Sequence, residues 1–183
     1  MRYWFPLGRT RWFHAALHVH LSVIVAAVFV ALTGAENPAF GAATLASLVA
    51  LILLHEFGHA AVAHHFGYRV QSIWLSLIHG RCVYDAPTDA WEGCLIAWGG
   101  VTAQVVVAIP LLLLDSFLRT PPWISGPVVL ILGYWSIFLV IFNLIPSGAL
   151  DGATAWRIIP LLRGRLRAWR VAHNAIQRNR RGR

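Results

Sequence analysis

His55, Glu56 and His59 stand in the order His-Glu-Phe-Gly-His inside a long apolar run. On an α-helix, residues four apart share a face, so the two imidazoles can hold one ion between them. Glu56, one position round, would sit beside any water that ion binds. The chemistry this pattern supports is hydrolysis, in which the metal acidifies a water and the carboxylate takes its proton. A structural zinc is normally closed by four protein ligands, whereas a catalytic one takes three and keeps a place for water. A third ligand is therefore needed.

His65 lies ten residues after His55, as in the soluble pattern H-E-x-x-H-x-x-G-x-x-H. The glycine that turns that chain is Val62 here, and a continuing helix would carry His65 about 9 Å beyond His59. The only Met is Met1, so there is no Met-turn. His64 and His65 are expected instead at the cytoplasmic end of the helix. Asp151 closes the segment Asn143-Leu144-Ile145-Pro146-Ser147-Gly148-Ala149-Leu150-Asp151, where Pro146 and Gly148 interrupt a helix. Irregular backbone at membrane depth is tolerated only where it is buried in protein or lines a wet cavity. A carboxylate after such a break can point back at the histidines or simply end a helix at the interface, and spacing alone leaves both open.

The elements that must position these groups are hydrophobic. The 183 residues are 58% hydrophobic and 12% charged, a polytopic membrane composition that excludes an ordinary water-soluble domain. Four stretches are long enough to span: residues 15–33, 42–66, 94–114 and 128–145, against the roughly 20 that a bilayer requires. The first exceeds the usual apolar region of a signal peptide and reads as a retained helix. His55 would then lie about 20 Å into the second span, nearer the cytoplasm. An ionised Glu56 at that depth costs on the order of 2.5–3.5 kcal/mol, which favours a functional explanation.

The net charge of +8 comes from Arg without Lys, with nine Arg from Arg157 to Arg183. By the positive-inside rule both termini and the loop from Gly67 to Ala90 face the cytoplasm. The chain is thus expected in a membrane, most simply a bacterial cytoplasmic one. The Arg clusters read as membrane anchors rather than a nucleic-acid surface. Cys82 and Cys94 make neither a disulfide framework nor a zinc ribbon.

Residues 68–84 crowd apolar side chains around His79-Gly80, which predicts either a membrane-dipping β-hairpin or a hydrophobic loop packed on the bundle. As a hairpin, its edge around Trp74, Leu75 and Leu77 could pair with an extended substrate segment. After Gly152, Leu162, Leu166, Trp169 and Ile176 recur at helical spacing among arginines, as in an interfacial helix on anionic lipid. The expected fold is an all-α, four-helix transmembrane bundle with a membrane-dipping β-hairpin and a basic C-terminal amphipathic helix. Residues 1–152 form the core, and 153–183 a cytoplasmic tail.

His55-Glu56-Phe57-Gly58-His59-Ala60, followed by N-x-x-P-x-x-x-L-D-G from Asn143 to Gly152, resembles the site-2 protease family of zinc intramembrane metalloproteases. The resemblance runs from about Leu17 to Gly152, and His18-Val19-His20 is similar to the compact bacterial branch that includes a sporulation sigma-factor-processing protease. It implies one Zn2+ per chain on His55, His59 and Asp151, Glu56 as general base, and transmembrane proteins as substrates. Asn143 matches its motif and could bond backbone or substrate. The chain departs from the family in the third span, where Gly99 to Gln104 lacks the usual proline and puts Gln104 near the usual asparagine, so no role carries over to Gln104. Two rivals are a catalytically inactive zinc-binding protein that grips partner helices, which the intact Glu56 argues against, and a metal transporter using His14, His18, His20, His64 and His65, which leaves the Asn143 to Gly152 motif unexplained.

Overall fold

A computed structural model describes residues 3–33, 37–77, 79–115, 117, 122–148 and 150–181. The chain opens with strands β1 (Trp4–Arg9) and β2 (Ala16–His20), then helices α1 (Leu21–Thr33) and α2 (Pro38–His65). Strands β3 (Val70–Leu75) and β4 (Gly80–Tyr84) lead to α3 (Ala90–Asp115). α4 (Pro122–Val128) continues through a π-helical stretch, Val129–Trp135, into α5 (Ser136–Asn143). A short α6 (Gly152–Ala155) and α7 (Ile158–Arg181) follow.

Among the described residues, three helical stretches are long and apolar enough to cross a membrane: Pro38–His65, Ala90–Asp115 and Ser125–Asn143. These are the dimensions of an integral membrane protein. The expected span over residues 15–33 is instead two elements. Leu17 and Val19 alternate with His18 and His20, the period of a strand, and this segment pairs antiparallel with β1 and parallel with β3. Only Leu21–Thr33 is helical, and its 13 residues reach about 20 Å, short of the roughly 30 Å hydrocarbon layer. The all-α expectation is corrected accordingly: the fold is mainly helical with a four-stranded sheet in the order β1-β2-β3-β4.

The sequence signals at the ends of α2 explain its length. The Asn37 side chain accepts a hydrogen bond from the Phe40 amide at 3.1 Å, and Pro38 occupies the first turn, where a missing N–H costs nothing. At the far end Gly67 takes φ +83°, and the Gly67 and Tyr68 amides bond the carbonyls of His64 and Ala63. That is a Schellman stop, and it turns the chain into β3. The sheet packs on α2 through Val19, Val70, Ile73, Leu75, Ala60 and Ala63, all buried. α3 crosses α2 where Gly58 meets Gly99: a Cβ at Gly99 would lie 2.6 Å from the Gly58 carbonyl oxygen. Small residues let membrane helices approach to backbone contact.

Candidate metal centre

α2 carries His55 and His59 one turn apart, and their Nε2 atoms lie 3.1 Å from each other. Both rings are oriented by α3. The His59 Nδ1–H donates to the Ile96 carbonyl at 2.8 Å, and the His55 Nδ1–H donates to Gln104 Oε1 at 3.0 Å. With Nδ1 protonated, each Nε2 presents a lone pair to the same point.

Asp151 reaches that point from a different part of the chain. Beyond Asn143 the backbone leaves the helix, and this irregular segment and the short α6 that follows it are fastened by side chains donating to their carbonyls. Trp156 Nε1 bonds the Leu144 oxygen at 2.6 Å, Trp98 Nε1 the Ala155 oxygen at 3.2 Å, and Cys94 Sγ the Thr154 oxygen at 3.3 Å. Gly152 is required because a Cβ there would strike the Leu144 and Ile145 carbonyls. Asp151 Oδ2 then stands 3.1 Å from His55 Nε2 and 3.3 Å from His59 Nε2.

The donor set fits a metal. One atom from each of His55, His59 and Asp151 converges, all within 4.8 Å of one another. Three electron-rich atoms facing one another repel unless a cation sits among them. Tetrahedral bonds of 2.0–2.1 Å place ligand atoms about 3.3 Å apart, close to the spacings found here. Asp151 Oδ2 is also buried without a hydrogen bond of its own, which a metal would remedy.

Glu56 lies beside this cluster, 4% exposed, with the Cys82 backbone hydrogen-bonding to it. Gly80 is tight against it, since a Cβ there would overlap the carboxylate. Both belong to β4, so the outer edge of that strand runs past Glu56. The cleft over the cluster has a volume of about 540 Å³ and is lined also by Leu51, Gln104, Leu139, Phe142, Asn143 and Tyr84. Burial and the charge of Glu56 push the Cys82 thiol up to about 12, and its sulfur is not part of the converging donor set. The Tyr84 phenol is likewise raised, by burial first and then by Cys82, Asp151 and Glu56.

Asn143 lies in the cleft, whereas Trp74, Leu75 and Leu77 do not line it. Trp74 stacks on His18 at 4.0 Å and meets Trp4 edge-on at 5.0 Å. Leu75 is 2% exposed, and the Leu77 amide bonds Ser22 Oγ. β3 is paired on both sides, with β2 and with β4, so the edge open toward the site belongs to Gly80–Tyr84. Strand β2 is some 50 residues away in sequence, and no local pattern in the hairpin announces its arrival. His64 packs on Phe13 and His65 on Phe66, and neither joins the cluster. Ile96, Gly100, Gln104, Gly80 and Cys82 are the site residues that sequence reasoning did not assign. Only their spacing of four on α3 could have marked the first three.

No family model matches the chain. A zinc metalloprotease of Methanocaldococcus jannaschii is 29% identical over 161 residues, covering 86% of this chain and 47% of that protein. A Synechocystis sp. protein that also bears a zinc metalloprotease name is 30% identical over 133 residues, covering 72% of this chain and 35% of that protein. The chain spans about a third to a half of the length of these curated relatives. Among solved structures, the site-2 protease from Methanocaldococcus jannaschii matches with a TM-score of 0.66 and 24% identity, over 86% of this chain and 71% of that one. The resemblance to site-2 proteases is therefore one of fold as well as of motif, and the homologues carry zinc metalloprotease names.

Proposed function

We propose that this chain is the membrane-embedded core of a zinc-dependent endopeptidase that cleaves transmembrane proteins within or near the bilayer. The observation that carries the reading is the convergence of His55, His59 and Asp151, with Glu56 beside them under an open strand edge. A single zinc held by those three residues would supply Lewis acidity toward a water and a peptide carbonyl. Glu56 would take the proton of that water and deliver it to the departing amine, in a cleft lined by Leu51, Leu139 and Phe142. Asn143 offers its amide to the substrate backbone from the end of α5.

A helical substrate hides its amides in internal hydrogen bonds and must unwind before cleavage. Pairing with β4 would hold it extended, and the strand's contact with Glu56 would bring a backbone carbonyl to the base. This moves the pairing role from Trp74–Leu77 to Gly80–Tyr84. At the cytoplasmic end, α7 exposes Leu162, Leu166 and Trp169 at helical spacing beside Arg163, Arg167 and Arg170, a surface suited to anionic lipid. Both termini lie on that side, in a bacterial cytoplasmic membrane.

Purified Glu56→Gln protein should keep its zinc and lose cleavage of a transmembrane substrate, whereas Asp151→Asn should also weaken zinc retention. Undiminished proteolysis by the Glu56→Gln protein would sink the assignment.

A further inference from the structure

The supports of the two imidazoles form a single stripe on α3. Ile96, Gly100 and Gln104 are spaced by four, so they share one face of the helix. The two helices run antiparallel, placing Ile96 opposite His59 and Gln104 opposite His55. The Nδ1 atoms diverge along the stripe toward its two ends, and the Nε2 atoms converge at its middle. There Gly100 leaves the room: a Cβ would lie 2.5 Å from His59 Nε2 and 2.7 Å from His55 Cε1.

We propose that Gln104 is a positioning residue of the metal centre, fixing His55 in the tautomer whose Nε2 lone pair faces the ion. Gln104 is 1% exposed, and burying a primary amide costs on the order of 1–3 kcal/mol unless it is hydrogen-bonded. Its bond to His55 accounts for a polar side chain in the middle of an apolar helix. The other support, the Ile96 carbonyl, belongs to the backbone, so Gln104 is the one member of the stripe whose hydrogen bond a substitution can remove. Outer hydrogen bonds of this kind fix ring orientation and raise ligand basicity.

The proposal rests on the zinc reading above, and metal binding separates the two. Full-length protein in detergent is loaded with zinc, and its metal is titrated against a chelator by elemental analysis. Gln104→Leu, which keeps the bulk and removes the acceptor, should weaken zinc retention by ~10–100-fold. Gln104→Glu, which keeps an acceptor at the same reach, should restore it to within a few-fold of the native protein. Thermal unfolding of the metal-free proteins is measured alongside, and Gln104→Met replaces the leucine variant if that variant does not fold. Native retention of zinc without the acceptor would overturn the proposal. So would a loss that the glutamate does not rescue and that tracks metal-free stability. Absence of zinc from the native protein would instead overturn the metalloprotease reading itself.

Discussion

The three converging donors are held by two unlike kinds of scaffold. His55 and His59 stand on a continuous helix of 28 residues, pressed against α3 to backbone contact at Gly58 and Gly99. Asp151 stands on irregular chain whose hold on the site depends on three donors reaching separate carbonyls. The helical half has almost no freedom: its ligand spacing follows from helix geometry and its ring orientation from one facing stripe. The irregular half can be loosened by degrees. Substitutions in the two halves should therefore fail in different ways, one all at once and the other gradually.

The largest effect is expected at Gly100. An alanine there places a methyl group in contact with both imidazoles, and neither the helix backbone nor the rings bound to Ile96 and Gln104 can withdraw. Gly100→Ala should cut zinc retention by ~100-fold and abolish cleavage, and because the clash is present without metal, thermal unfolding of the metal-free protein should fall as well, which metal analysis and unfolding read separately. Stoichiometric zinc in that variant would show that α2 and α3 are not rigidly packed at the site.

A smaller, graded effect is expected at Trp98. Replacing it with Phe keeps a ring against Trp156, which it meets edge-on at 5.5 Å, and removes the bond to the Ala155 carbonyl. A hydrogen bond of this kind is worth about 1 kcal/mol, or roughly fivefold in zinc retention. In the Asp151→Asn background the same change should add little, because the ligand it steadies is already lost. Equal effects in both backgrounds, measured by the same chelator titration, would mean that Trp98 acts on the fold and not through Asp151.

The same division decides what could be read from the chain before its structure. His-Glu-Phe-Gly-His is legible because helix periodicity alone converts its spacing into geometry. Asp151 is legible only as a carboxylate after a helix break; its approach to the histidines depends on Trp98, Cys94 and Trp156, which carry no local sign of that purpose. Residues 15–33 resemble a single span for a related reason. Hydropathy sums over a window and cannot see that Leu17-His18-Val19-His20 alternates, nor that β1 and β3 wait on either side. Strand pairing is non-local, and so is the antiparallel match that gives Gln104 its place.

The smallest effect is expected farthest from the ligands, at Arg165. Its guanidinium lies 3.3 Å from Asp89 and 4.4 Å from the Trp91 ring, tying α7 to the start of α3. Both partners of the ion pair are about half exposed, so solvent screening limits its worth to at most about 1 kcal/mol. The arginine is nonetheless drawn away from the exposed row of Arg163, Arg167 and Arg170 on α7, which makes it a latch between α7 and α3. Arg165→Gln should leave zinc retention and cleavage within twofold of native while α7 becomes more susceptible to limited proteolysis in detergent. A fall in zinc retention instead would mean that α7 steadies Asp151 through the short α6, and that the irregular half of the site extends to the end of the chain.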